Sequence, residues 1–83
     1  MGDKIIIIFN AFKKNVSVDL EIPLDITTRE LVIGLNEAFN LGIDTTDIKQ
    51  CYLKTENPIA LLRGNKLLRE YGLRNGSIIN FTE

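Results

Sequence analysis

The chain contains no histidine and a single cysteine, and these absences remove most of the side chains from which enzymes build active sites. Without histidine there is no imidazole for acid–base catalysis, for a Ser-His or Cys-His pair, or for binding zinc. The lone Cys51 cannot form an intramolecular disulfide or a metal site built on several thiolates. It lies on the predicted core face of a strand with no base nearby in sequence, so we interpret it as a buried structural residue. The sequence therefore predicts a protein that is not an enzyme and has no metal or cofactor.

An excess of charge of one sign and a long apolar run are missing as well. Ten Lys and Arg residues against eleven Asp and Glu residues leave a net charge of −1, which provides no field for attracting nucleic acid. The only basic pair, Lys13-Lys14, falls in a predicted turn. The apolar run Ile5–Phe9 is too short for a signal peptide or a membrane span. We therefore expect a cytoplasmic protein that binds no nucleic acid and does not insert into a membrane.

Five segments have the composition or the periodicity of strands. Ile5–Phe9 is β-branched and aromatic, and residues 16–22 alternate apolar with polar side chains, as half-buried strands do. A turn at residues 13–15 joins these two segments into a hairpin, and Pro23 ends the second because it has no N–H for a strand ladder. Further strands are predicted at about residues 49–55, 59–62 and 77–82.

One amphipathic helix is predicted after the hairpin. Thr27-Thr28-Arg29-Glu30 matches a capping box, in which the Thr27 hydroxyl accepts an N–H three residues on and Glu30 reaches back. Apolar residues then recur at three- and four-residue spacing and form one stripe, which consists of Leu31, Leu35, Ala38 and Phe39. Gly42 is interpreted as the helix stop, and Gly34 as a point of close packing between helix and sheet. A short helical turn is expected at residues 66–71.

The order of elements is therefore β-β-α-β-β-(short helix)-β. A helix with one apolar stripe and strands that share one apolar face pack most economically as a helix across a single sheet. In that arrangement the first and last strands can lie parallel in the centre of the sheet. The predicted fold class is α+β, with a mixed four- to five-stranded sheet, one α-helix packed across it and a short helical turn before the last strand. We expect residues 1–83 to form a single domain.

This succession resembles ubiquitin over nearly the whole chain, from about Lys4 to Thr82. Three stretches carry the resemblance: the second strand running into the capped helix, the loop leaving the helix, and the short helix and turn before the last strand. They are Leu20-Glu21-Ile22-Pro23 followed by Thr27, Leu41-Gly42-Ile43-Asp44, and Leu68-Arg69-Glu70-Tyr71-Gly72-Leu73 followed by Asn75-Gly76-Ser77. The resemblance implies a ubiquitin-like β-grasp fold, with Tyr71 in the place of the tyrosine whose hydroxyl ties down the neighbouring loop.

The end of the chain separates it from the conjugated members of that fold. Ubiquitin and its conjugating relatives carry a tail that ends in Gly-Gly beyond the last strand, whereas this sequence stops at Phe81-Thr82-Glu83. Without a C-terminal glycine there is nothing to adenylate or to convert into a thioester or thiocarboxylate. We therefore expect no conjugation or sulfur-carrier activity, unless the natural chain is longer.

Among tailless relatives, the chain resembles the YukD/EsaB family, whose members accompany the type VII (WXG100) secretion systems of Gram-positive bacteria. The matching features are the chain length, an Ile-rich first strand, the segment Asp19–Pro23 and the abrupt end after the final strand. The resemblance implies a non-conjugated cytoplasmic protein that regulates or docks to the membrane-embedded secretion machinery.

Two other functions stay open on the residues alone. The first is a ubiquitin-like modifier or sulfur carrier whose C-terminal Gly-Gly tail is missing from this sequence. The second is a charge-driven scaffold domain of the PB1 kind, which shares the topology. Its acidic partner motif should be a tight Asp/Glu cluster after the third strand, and Glu56 alone does not supply one.

The first strand is apolar on both faces, so one of its faces must lie outside the core. We place Ile6 and Ile8 against the helix and the odd-numbered residues on the open face, where an apolar cluster indicates an interaction site. The resemblance to ubiquitin adds residues from neighbouring strands at the centre and the flank of this patch. The predicted protein-interaction site consists of Ile5, Ile7, Phe9, Tyr52, Ile78, Asn80 and Thr82. Three alternatives are that the patch forms a homodimer, that the long hairpin 52–65 covers it, or that Ile5 and Phe9 are merely strand ends.

Overall fold

The computed structural model describes residues 3–81, within which five strands, one α-helix and a 3-10 helix before the last strand follow one another in the predicted order, and two further 3-10 helices were not predicted. The strands are β1 (Lys4–Ala11), β2 (Val16–Pro23), β3 (Tyr52–Glu56), β4 (Ala60–Arg63) and β5 (Ile78–Phe81). The helix is α1 (Thr28–Phe39), and the 3-10 helices are Phe12–Lys14, Ile48–Gln50 and Leu68–Tyr71. The strand predicted from residue 49 begins at Tyr52, because the Asp47 carboxylate accepts the Lys49 N–H at 3.0 Å and holds the preceding turn.

The strands form one mixed sheet in the order β2-β1-β5-β3-β4. β1 and β5 are parallel at its centre, and the other neighbouring pairs are antiparallel. α1 packs across one face over a continuous apolar core, which confirms the predicted α+β class and the parallel central pair. The hairpin formed by β3 and β4 extends the sheet at its edge rather than folding over it, so it does not cover the face opposite α1.

The helix begins where its sequence signal predicts. The Thr27 hydroxyl accepts the Glu30 N–H at 3.1 Å, and the Glu30 carboxylate accepts the Thr27 N–H at 3.0 Å, so the capping box is confirmed. The helix ends at Phe39 rather than near Gly42, because Asn40 adopts the left-handed conformation (φ 54°) that asparagine tolerates better than most residues. The buried residues of the helix are Thr28, Leu31, Val32 and Leu35, whereas Ala38 is exposed.

Gly34 does not mark close packing of helix on sheet, so that interpretation was wrong. The residue is exposed, and a methyl group at its Cα would meet no atom of a neighbouring element within 4 Å. The glycine therefore carries the conformational cost of its residue type without a packing reason that the structure shows.

The two faces of β1 are the reverse of the predicted assignment. Ile5, Ile7 and Phe9 are buried beneath α1, with 8%, 1% and 0% of their surface exposed, whereas 51% of Ile6 is exposed. The reason is the pairing with β2. Odd-numbered residues of β1 lie opposite even-numbered residues of β2, and directly paired residues project to the same face. The apolar side of β2 therefore carries Ile5, Ile7 and Phe9 into the core, where the Phe9 ring contacts Phe39 at 5.2 Å between centroids.

Candidate protein-interaction surface

The face of the sheet opposite α1 is here called the open face. Three isoleucines lie on it, Ile6 and Ile8 from β1 and Ile78 from β5. Ile8 and Ile78 occupy directly paired positions of the two central strands, and Ile6 lies two residues before Ile8 on the same side. These three side chains form a contiguous apolar cluster, here called the isoleucine patch.

The predicted site is only partly assembled on this face. Tyr52, Ile78 and Asn80 lie on the open face as expected, but Ile5, Ile7 and Phe9 belong to the core and are corrected to Ile6 and Ile8. Thr82 lies outside the described residues. That the open face binds a protein stays a prediction.

A chain of polar side chains crosses the open face beside the isoleucine patch. The Asn10 amide donates to the Asn80 side-chain oxygen at 3.0 Å, and the Asn80 amide donates to the Glu56 carboxylate at 2.9 Å. These residues come from β1, β5 and β3, so the hydrogen bonds link the three central strands. Their side chains are thereby held in place and give the isoleucine patch a polar border on one side.

Tyr52 lies beyond this border and does not touch the isoleucine patch. Ile78 is opposite Glu56, which is four residues along β3 from Tyr52. At a rise of about 3.3 Å per residue, the two side chains are separated by roughly 13 Å along the sheet. The sequence therefore predicted one patch where the structure has two separate features.

Tyr52 instead lines a groove, here called the basic groove, between β3, β4 and the turn that follows β4. The groove is lined by Lys49, Tyr52, Lys54, Leu61, Arg63, Gly64, Asn65, Lys66 and Tyr71. Sequence reasoning missed it, because its four cationic residues are separated along the chain and only the pairing of β3 with β4 and the return of the chain bring them together. The one available signal was the resemblance that placed Tyr71 against a neighbouring loop.

Tyr71 closes one side of the groove and confirms that expectation. Its hydroxyl donates to the Arg63 carbonyl at 3.1 Å and accepts the Arg63 N–H at 3.3 Å. Both backbone groups of Arg63 on the sheet edge are thereby satisfied. The Lys66 ammonium lies 4.8 Å from the centroid of the Tyr71 ring, within the range of a cation–π interaction.

Charges of opposite sign lie at the two edges of the open face. Asp19 and Glu21 of β2 lie at one edge, where they pair with Ile8 and Ile6. The cations of the basic groove lie at the opposite edge, beside β3 and β4. A net charge of −1 thus conceals a face with an acidic and a basic edge.

The structure places two other polar groups away from this surface. Arg69 donates to the carboxylates of Asp25 and Asp3, and these hydrogen bonds raise the pKa of its guanidinium. Hydrogen bonds from the Thr46 hydroxyl and N–H lower the pKa of the Asp44 carboxyl. Both arrangements stabilise loops.

The groups that most often indicate catalysis or metal binding lie in the core or do not converge. Cys51 is fully buried, as predicted, with its sulfur 3.6 Å from the Asp47 carbonyl and 3.7 Å from the Thr45 carbonyl. Across residues 3–81, no three His, Cys, Asp or Glu side chains are close enough to hold a metal ion. The helix in this part of the chain is also too short and too polar to cross a membrane.

Comparison with solved structures identifies the fold. The C-terminal ubiquitin-like domain of mouse tubulin-specific chaperone e has a TM-score of 0.70 at 13% identity, over 95% of this chain and 84% of that domain's chain. A protein designed de novo on the basis of ubiquitin has a TM-score of 0.65 at 16% identity, over 95% of this chain and 87% of the designed one. At such low identity the likeness shows the fold alone, which is the ubiquitin-like β-grasp.

Comparison of the sequence identifies the family. No curated protein sequence matches the chain. The family model described as WXG100 protein secretion system (Wss), protein YukD, matches residues 6–80, which include the helix, the open face and the basic groove. The chain therefore belongs to the YukD family of ubiquitin-like proteins associated with the WXG100 secretion system.

Proposed function

We propose that this protein is a non-enzymatic, non-conjugated binding module formed by a single domain, residues 1–83. It acts in the cytoplasm as an accessory or regulatory component of a type VII secretion system. The observation that carries the proposal is the isoleucine patch on the open face. Membership of the YukD family indicates the secretion system, and the patch is a surface that could contact its machinery.

The patch has the composition of a small protein-binding site. Its apolar centre consists of Ile6, Ile8 and Ile78, and polar or charged side chains lie around it, among them Asp19 and Asn80. An apolar centre with a polar rim is the usual anatomy of an interface between proteins. Ile6 is 51% exposed, and Ile8 and Ile78 are half-buried beside it, so the patch offers apolar surface to a partner.

The location of the thiol supports a binding role rather than a catalytic one. Cys51 is enclosed in the core beneath the sheet, where a substrate would not reach it, and the sequence contains no histidine to activate it. Its neighbours within hydrogen-bonding distance are backbone carbonyls, which do not act as bases.

The experiment is a crosslinking pull-down from the native host with three forms of the protein. These are the wild type, Ile6→Lys in the patch, and Phe12→Lys as the matched control. Phe12 is 63% exposed, lies in the turn after β1 and is outside the patch, so the control introduces the same charge at an exposed apolar site.

We expect the wild type and Phe12→Lys to recover a membrane ATPase or another component of the secretion machinery, and Ile6→Lys to lose it. Equal recovery by Ile6→Lys would show that the isoleucine patch is not the binding surface. Recovery of an E1-like activating enzyme or a sulfurtransferase would contradict the non-conjugated role and favour a modifier or sulfur carrier.

A further inference from the structure

We propose that the basic groove is a second binding site, separate from the isoleucine patch, and that it binds an acidic segment of a partner protein. The inference rests on the proposed function, because it assumes that the chain binds proteins. The groups that would make the contacts are Lys49, Lys54, Arg63 and Lys66, with Tyr52 and Tyr71 between them.

The distribution of charge is the first argument. Four of the ten cationic residues of the chain line this one groove, whereas none of the lining residues within the described range 3–81 is acidic, although the chain has eleven Asp and Glu residues. Cations that surround one concavity repel one another, and their positive potentials add. A ligand with several carboxylates is attracted by the summed potential, and it also reduces the repulsion between the cations.

The second argument is that the groove cations have no carboxylate partner within the described residues. Within residues 3–81, no carboxylate forms an ion pair with any of the four groove cations. Arg69 is the contrast, since its guanidinium lies 3.1 Å from the Asp3 carboxylate and 2.7 Å from the Asp25 carboxylate. Arg69 is thus neutralised by carboxylates of the same chain, whereas the groove cations are available to an external anion.

The rings indicate that the ligand carries apolar side chains as well as carboxylates. Tyr52, Leu61 and Tyr71 lie between the cations, and they offer apolar surface for an aromatic or aliphatic side chain. Because the Tyr71 hydroxyl already satisfies the Arg63 N–H and carbonyl, a bound segment cannot extend the sheet as a further strand at this point. Recognition must therefore come from side chains across the groove.

The charge on the rest of the open face favours a short acidic segment over an extended polyanion. Asp19 and Glu21 occupy the opposite edge of the same face. A membrane surface or a long nucleic acid laid across the sheet would meet both carboxylates, and the net charge of −1 would not attract it from a distance.

The test uses the full chain and a fluorescein-labelled peptide of alternating Glu and Phe residues, with its Gln/Phe counterpart as the neutral probe. Binding is measured by fluorescence anisotropy over a range of salt concentrations. The groove variant is Lys54→Gln/Lys66→Gln. The matched control is Lys14→Gln/Arg74→Gln, which changes the net charge equally at residues that do not line the groove.

We expect the Glu/Phe peptide to bind and the Gln/Phe peptide not to bind, with an affinity that falls as salt rises. The groove variant should lose about tenfold in affinity, from two contacts between exposed charges. The control variant should bind like the wild type. Equal loss in both double variants, or no binding of the Glu/Phe peptide by the wild type, would overturn the proposal.

Two further arms examine other occupants of the groove. Tighter groove-dependent binding of phosphatidylserine vesicles or of single-stranded DNA than of the peptide would assign the groove to another anion and overturn the proposal. A dimer in analytical ultracentrifugation that only the groove variant abolishes would assign the groove to a second copy of this chain and overturn the proposal. Loss of secretion components by Ile6→Lys, without peptide binding to the wild type, would overturn this inference and leave the proposed function intact.

Discussion

Replacing Ile7 by alanine and, separately, replacing Ile6 by alanine distinguishes the two faces of β1. The residues are neighbours of the same type in the same strand, so helix or strand propensity and the effect on the unfolded chain are alike in the two variants. They differ in burial, since 1% of Ile7 and 51% of Ile6 is exposed. The assignment of faces from sequence predicts the larger loss for Ile6, whereas the structure predicts it for Ile7.

The expected magnitude follows from what each substitution removes. Deleting the carbons beyond Cβ of a buried isoleucine costs about 2–3 kcal/mol in transfer free energy, at ~0.8 kcal/mol per methylene-sized group. The cavity left beneath α1 adds about 1 kcal/mol, so Ile7→Ala should lower the free energy of unfolding by about 3–4 kcal/mol. A domain of this size has a stability on the order of 5 kcal/mol, so the variant should be close to unfolding. Ile6→Ala should change the stability by only about 0.5 kcal/mol.

The assay is urea denaturation of both variants, followed by far-ultraviolet circular dichroism. Similar slopes of free energy against urea would show that the midpoints report stability rather than a change in compactness. The melting temperature of Ile7→Ala should fall by roughly 15–25 °C. An equal loss in both variants, or a larger loss in Ile6→Ala, would refute the register that places Ile7 in the core.

Four further predictions concern single residues outside the patch and can be checked with the same purified protein. Gly34→Ala should raise the stability by about 1 kcal/mol in thermal melts, because the position is exposed, helical and unobstructed; a loss would reveal a packing role. Thr28→Val should raise the free energy of unfolding by about 1 kcal/mol, because the Thr28 hydroxyl is buried and has no hydrogen-bond partner within residues 3–81. A loss of stability would indicate that the hydroxyl forms a hydrogen bond in solution. Tyr71→Phe should lower the free energy of unfolding by about 1–2 kcal/mol through the loss of two hydrogen bonds, and it should speed amide exchange at β4. Unchanged exchange would contradict a stabilising role for the hydrogen bonds between Tyr71 and Arg63. The lowered pKa of Asp44 means that its contribution to stability is present above its unfolded-state pKa and is lost as the pH falls through the folded pKa. In Thr46→Val, an NMR titration should find the pKa of Asp44 closer to its ordinary value, and an unchanged value would exclude the Thr46 hydroxyl as the main cause.

Much of the fold could be predicted from local signals. The capping box at Thr27 and Glu30 satisfies the first N–H groups of the helix from within four residues, so no distant part of the chain is needed to recognise it. The alternation over residues 16–22 likewise reflects one wet and one dry face of a strand. These patterns depend on contacts between near neighbours, and the structure confirms both elements.

The buried face of β1 could not be predicted in the same way. A strand that is apolar on both sides carries no alternation, and a shift of one residue in its pairing reverses the face of every side chain. The register is set by the length of the turn, which places Ala11 opposite Val16. If the turn is counted as three residues instead of the four between Ala11 and Val16, the register shifts by one residue. Ile6 then faces the core in place of Ile7.

By itself, the sequence determined the succession of elements, the ubiquitin-like architecture, the YukD family and the burial of the only thiol, because each depends on local periodicity or on the order of motifs along the chain. Only the tertiary structure decided which isoleucines reach the surface, that Tyr52 is separated from them, and that Lys49, Lys54, Arg63 and Lys66 converge. These features depend on strand register and on the return of the chain beside β4. Both are set by pairings between residues distant in sequence, for which no single segment contains the information.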